Sequence, residues 1–238
     1  MTPLPERLRT LGVIPARGGS KGLPGKNLAP LGGVPLLVHT IRAAIESGCL
    51  DCLVVSTEDP SIAAAAEAES PGIALDRPPE LATDAASTDA VLVHALATME
   101  ARTGGLFTHV VVLQPTSPLR SAAHIRAGVQ LAADSGADEV VAVSEAEFPP
   151  HWMFHMGADG ALEPLLPGPL QRARRQELPV VVRPNGALYV RTRACVLSRP
   201  LNVRAVGLLL DAVSGIDIDD HDDLAEAAKH YQARRGPQ

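Results

Sequence analysis

A chain of 238 residues suits one large α/β domain, alone or carrying a small excursion, better than two independently folding units. Apolar residues make up 46% of it and aromatics only 3%, so the core has to be built from Ala, Val, Leu and Ile, as layered α/β packing allows. The formal charge of -6 argues against general affinity for nucleic acid, because counterion release needs a basic surface, and any phosphate site must therefore be local.

Apolar runs of strand length alternate with stretches of helical period along the chain. A first strand is expected at 11–14, followed by a glycine-rich segment and a helix over 35–46 with Pro35 in its first turn and Gly48 past its end. Strands at 52–56, 72–75 and 109–113 then alternate with an Ala-rich helix at 59–69 and an amphipathic one at 89–102. After a strand at 140–143 the rhythm breaks: residues 147–179 hold six prolines, the cations Arg172, Arg174 and Arg175, and the single Trp, and read as an inserted arm. Strands at 180–182, 187–190 and 203–209 follow, and a last helix over 222–234 opens on acids and closes on basic residues, matching the helix dipole. This order predicts one α/β domain over 1–238 with a mostly parallel sheet.

No run of about 18 apolar residues is present to span a membrane, and the opening MTPLPERLRT lacks the apolar stretch of a signal peptide, so a cytoplasmic protein without a membrane partner is expected. Cys49 and Cys52 form a CxxC where a helix runs into a strand; without a second such pair they read as ordinary thiols. His151 and His155 are four residues apart but follow Pro149 and Pro150, so packing or a role in the arm is expected rather than a helical metal site.

Four segments carry chemistry. IPARGGSKGLPGKN, residues 14–27, follows the first strand; its glycines let backbone amides face an anion while Arg17, Lys21 and Lys26 add positive charge, a fit for a polyphosphate. Its spacing is neither a Walker A loop nor GxGxxG. In GIDIDD, residues 215–220, Asp217 and Asp219 project to one side if the piece is extended, and two carboxylates there could seat magnesium; the same run also reads as an acidic helix start. LQPTSPLR, 113–120, and RPNGA, 183–187, begin at strand ends, where open parallel sheets meet their ligands. Gln114 offers an amide and Arg183 a planar fork for a carboxylate or phosphate. No Ser-His-Asp or Cys-His arrangement is legible.

These segments, with RPPELATDAAST, RRQELP and SGIDIDDHDDL, occur in the order found in the acylneuraminate cytidylyltransferases, the CMP-sialic acid synthetases, and the chain resembles that family over about residues 11–224. The Kdo cytidylyltransferases look less similar in the first motif, and pseudaminate cytidylyltransferases generally lack RPNGA. The resemblance implies a Rossmann-like nucleotidyltransferase fold, a homodimer in which residues 147–179 form the dimerisation arm, and CTP and an acidic nonulosonate as substrates, N-acetylneuraminate foremost.

By motif position, Ala16, Arg17, Gly18, Ser20, Lys21 and Lys26 would hold the triphosphate, and Asn27, Arg77 and Ser87 would surround cytosine and ribose. Gln114, Arg175, Arg183 and Asn185 would face the sugar, and Asp217 and Asp219 would hold Mg2+. Arg17, Lys21, Asp217 and Asp219 would then carry catalysis. In one departure, Pro150 to Phe154 lacks the lysine several members carry there, which bears on the acyl-group preference. The chemistry implied is in-line attack of the anomeric hydroxyl on the α-phosphorus of CTP, with no enzyme nucleophile. Alternative readings are a legionaminate or deaminated nonulosonate cytidylyltransferase, and a catalytically silent CTP sensor.

Overall fold

The computed structural model of the protein describes residues 8–19, 22–198, 200 and 202–235. In chain order the strands and helices are β1 (Thr10–Pro15), β2 (Pro30–Leu31), β3 (Val34–Pro35), α1 (Leu36–Ser47), β4 (Cys52–Thr57), α2 (Pro60–Glu69), β5 (Ala74–Asp76), α3 (Thr88–Thr103), β6 (His109–Val112), α4 (Ala122–Ser135), β7 (Glu139–Glu145), β8 (Phe154–Met156), β9 (Leu162–Pro164), β10 (Val182–Thr192), α5 (Arg193–Ser198), β11 (Ala205–Leu209) and α6 (His221–Arg235). The helix starts follow from their caps. Asp59 accepts from the amides of Ser61 and Ile62, Ser87 from Ala90, and Ser121 from His124, whose ring answers the Ser121 amide in a reciprocal cap. Gly48, Gly104 and Gly136 close α1, α3 and α4 in the left-handed conformation.

Seven strands form the central sheet in the order β11-β7-β10-β6-β1-β4-β5. β10 alone runs antiparallel to its neighbours β6 and β7; the other pairings are parallel. From β1 the chain moves to β4 and β5 on one side and then crosses to β6 on the other, so the carboxyl ends of β1 and β6 frame a topological switch point, where such sheets open a crevice for ligand. The glycine-rich segment leaves β1 there, and LQPTSPLR leaves β6.

One core layer packs α1, α2 and α4 on the sheet through Ile14, Leu37, Ile41, Val111, Ile125 and Leu188, and a second packs α3 and α5 on the opposite face through Leu11, Leu92, Leu96, Val110 and Val196. Phe107 is the sole aromatic among the largest fully buried side chains, in keeping with the composition. A third cluster (Leu23, Leu31, Leu36, Leu119, Ile218, Ala227) lies under α6 and ties the glycine-rich segment, the LQPTSPLR loop and the GIDIDD segment into one packed unit.

The expected strands and helices are present within a few residues, with two differences. The strands expected separately at 180–182 and 187–190 are one strand, β10, whose register against β7 shifts between Pro184 and Tyr189. Pro184 and Gly186 in mid-strand mimic a break, while they mark a bulge. α4 and α5 are additional to the expected helices. Residues 147–179 form an irregular lobe of 3-10 turns around the β8–β9 hairpin. His151 lies in one of those turns and His155 in β8, so their spacing does not place them on one helix face.

Candidate active site

A cleft of about 390 Å³ opens at the switch point, lined among others by Arg17, Gly19, Lys26, Asn27, Arg77, Asp84, Gln114 and Thr116. Ala16 is fully buried beneath it and its amide donates to the Ser56 carbonyl, which anchors the start of the glycine-rich segment on β4. Arg17 Nη1 lies 2.7 Å from Asp84 Oδ1, and Asn27 Nδ2 donates to the Arg17 carbonyl at 2.8 Å. Arg77 is buried with its guanidinium fixed on Ser56, donating from Nε to Oγ at 3.2 Å and from Nη2 to the carbonyl at 2.6 Å. Burial lowers the Arg77 pKa, the Glu58 carboxylate raises it and the Arg17 charge lowers it again. The glycine-rich segment is not wholly open to an anion, because the Gly18 amide donates to Glu58 Oε1 at 2.8 Å. Ser20 and Lys21 lie outside the described residues.

The acids do not line the cleft but contact residues that do, Lys26 and Thr116. Lys26 Nζ is 2.9 Å from Asp219 Oδ1, and a Cβ at Gly22 would fall 2.5 Å from the Asp219 carbonyl oxygen, so the cationic segment and the GIDIDD segment are in direct contact. Ile218 between the acids is buried and its amide donates to the Thr116 carbonyl at 2.8 Å, which pins the segment against the LQPTSPLR loop. Residues 215–220 do not form a strand, and the expectation that Asp217 and Asp219 project to one side fails: Asp217 turns inward and Asp219 outward, its side chain 77% exposed. Asp217 Oδ1 is buried with no hydrogen-bond partner among the described residues. Burial pushes the Asp217 carboxyl up, a hydrogen bond from Thr116 pulls it down, the Asp219 charge raises it and Lys26 lowers it. The orphaned Asp217 oxygen is a hard-oxygen donor of the kind magnesium takes, while Asp219, turned outward, is paired with Lys26. Gly186, with φ of 77°, brings RPNGA against both groups: a Cβ there would lie 2.9 Å from Gln114 Oε1 and 3.2 Å from Asp217 Oδ2.

The structure thus brings together Arg17, Lys26, Asn27, Arg77, Gln114, Asp217 and Asp219. Other expected residues stand apart. Ser87 caps α3, with its neighbours Ala86 and Thr88 on the cleft wall. Asn185 is buried and turned away, donating to Ser144 Oγ at 3.0 Å and accepting from the Ala187 amide at 3.1 Å, a brace for the β10 bulge. Arg183 is exposed on β10 opposite Ser144, outside the cleft lining. Arg175 donates to the Glu147 carbonyl at 3.0 Å and lines a separate hollow at the base of the arm, so it does not join the cluster within one chain. Residues missed from sequence include Asp84, Ser56, Glu58 and Thr116. Asp84 and Thr116 sit inside quoted motifs, and their polar side chains next to an arginine or a proline turn were the available signal.

A family model described as cytidylyltransferase matches residues 11–156. CMP-N,N'-diacetyllegionaminic acid synthase of Legionella pneumophila is 35% identical over 226 residues, covering 93% of this chain and 96% of its own. N-acylneuraminate cytidylyltransferase of Streptococcus agalactiae serotype V is 32% identical over 227 residues, 94% of this chain but 53% of its own, so the chain spans about half the length of that relative. Among solved structures, a CMP:2-keto-3-deoxy-manno-octonic acid synthetase complexed with CTP superposes with a TM-score of 0.72 at 19% identity, covering 95% of this chain and 99% of that one, a likeness of fold. With its switch-point cleft, its ordered motifs and relatives that match nearly its whole length, the chain belongs to the cytidylyltransferase family.

Proposed function

We propose that the protein transfers CMP from CTP to the anomeric hydroxyl of an acidic nonulosonic sugar and releases pyrophosphate. The observation that carries this reading is the 2.9 Å contact of Lys26, which lines the cleft, with Asp219, which joins the cationic, glycine-rich segment to the acidic GIDIDD segment, the combination suited to displacement at a nucleotide phosphorus. In this reading the sugar oxygen forms a bond to the α-phosphorus while the bond from that phosphorus to the bridging oxygen breaks, and pyrophosphate leaves with the electron pair. The hydroxyl proton passes to a carboxylate of the Asp217 and Asp219 pair. Arg17 and Lys26, with Lys21 of the same segment, hold the phosphates; Gln114 orients the sugar; catalysis is mainly positioning and charge neutralisation.

Asp217 and Asp219 would hold magnesium. When bound, it offsets charge on the phosphates and on the departing pyrophosphate. N-acetylneuraminate is the sugar proposed first. N,N'-diacetyllegionaminate is a specific second reading, favoured by the relative that matches this chain over 96% of its own length. The test is pyrophosphate release with CTP, magnesium and single nonulosonates; better turnover of the legionaminate than of N-acetylneuraminate reverses that order.

The arm is proposed to pair two copies of the chain. Phe148, Phe154, Met156 and Leu162 are each at least half exposed on it, and Trp152 and Met153 are partly so, an apolar patch of the kind that marks an interface. Arg175 at the arm's base would then approach the partner's cleft, which would account for its distance from its own.

A further inference from the structure

Arg120, the last residue of LQPTSPLR, is 2% exposed. Its Nη1 donates to two backbone carbonyls, that of Gln114 at 3.2 Å and that of Ala187 at 2.7 Å. Nε and Nη2 have no acceptor among the described residues, and burial alone lowers the guanidinium pKa to about 9, with no carboxylate to offset it. Burying an arginine with two unanswered nitrogens costs stability, and an apolar side chain of similar volume is commonly neutral or stabilising in such a place. What the guanidinium does supply is a single bridge between the loop after β6 and the bulge of β10, on the side of the cleft proposed for the sugar. Gln114 is the second residue past β6, and Ala187 follows Gly186, where an added Cβ would meet Gln114 Oε1 and Asp217 Oδ2. The loop is held from behind as well. Arg234 of α6 donates to the Leu119 carbonyl and to Ser214 Oγ, each at 2.9 Å, so the residue before Arg120 is tied to the stretch that leads into Asp217. The nucleotide side is fixed by other contacts, those of Ser56, Asp84 and Asn27, none of which involves Arg120.

We infer that Arg120 is a positioning residue for the acidic sugar: by holding the Gln114 and Ala187 carbonyls on one guanidinium it sets the Gln114 amide and the Gly186 turn at the spacing the sugar needs, without touching either substrate. The inference rests on the proposed reaction. An error of about 1 Å in a reacting group costs up to roughly 100-fold in rate, and the error here would fall on the sugar alone.

The experiment is steady-state kinetics of pyrophosphate release by the wild-type protein, Arg120→Lys and Arg120→Met, each assayed below its own thermal transition. The expected result is a kcat lower by roughly 10-fold to 100-fold and a raised KM for the sugar, with KM for CTP within about twofold of wild type, and with Arg120→Lys, which keeps a donor, less impaired than Arg120→Met. If Arg120→Met does not fold, Arg120→Lys decides by the same split. Kinetics unchanged in the folded variants, or KM for CTP rising as much as KM for the sugar, overturns the inference alone; a wild-type protein silent with every sugar overturns the proposed reaction and this inference together.

Discussion

Asp217 is a partly buried acid held at a cost in stability, which the proposed reaction would put to use. Its carboxyl is pushed up chiefly by burial, so the folded state holds the proton more tightly than the unfolded chain does. The stability carried by the neutral form is present at low pH and is lost as pH rises through the folded-state pKa; above it, the ionised carboxylate is a cost. Asp217→Asn removes that cost, and the expected outcome by thermal melting without magnesium is a Tm at neutral pH above that of wild type, with pyrophosphate release lost. Magnesium should raise Tm of the wild-type protein and leave that of the variant unmoved; an equal shift in both contradicts the metal assignment. The two acids were legible in GIDIDD because an apolar residue separates them, but their unequal burial was not. That inequality depends on Thr116 pinning Ile218 from more than 100 positions away, a contact no local pattern encodes.

At the scale of elements, β10 is the most informative strand. It is the one antiparallel member of the sheet and carries its bulge where RPNGA meets the cleft. A Cβ at Gly186 meets both the left-handed backbone conformation and the Gln114 side chain. Gly186→Ala is expected to cost about 1–2 kcal/mol from the left-handed conformation, read as a lower Tm, and to raise KM for the sugar through displacement of Gln114. A variant with unchanged Tm and KM would place the bulge outside the site's machinery. Sequence periodicity located the strands of the central sheet and four of the helices because apolar runs and caps are local signals, and missed the short pairs β2–β3 and β8–β9. It split β10, since Pro184 and Gly186 punctuate a strand and a turn alike, and strand direction depends on the crossover that feeds it. Asn185 illustrates the same gap: its polar side chain reads as a ligand contact in the motif but braces the β10 bulge on Ser144, a partner about 40 positions away that no local pattern encodes.

For the whole molecule, the arm and the cleft are separate commitments of the same chain. Its exposed apolar side chains predict a dimer in solution by sedimentation, and Phe154→Glu in the β8–β9 hairpin is expected to shift the population toward monomer. A wild-type protein that sediments as a monomer at every concentration would remove the arm from the account. Composition foretold the layered, aromatic-poor core, and the strand order puts its crevice where the glycine-rich segment and Gln114 meet, with the acidic segment in contact through Lys26 and Thr116. The measurement that tests this convergence most directly is pyrophosphate release with CTP, magnesium and single nonulosonates, for the wild-type protein beside Asp219→Ala. The expected result is sugar-dependent release by the wild type and none by the variant, whose melting curve is unchanged because the side chain is exposed. Release by Asp219→Ala at the wild-type rate, or no release by the wild type with any sugar, contradicts it.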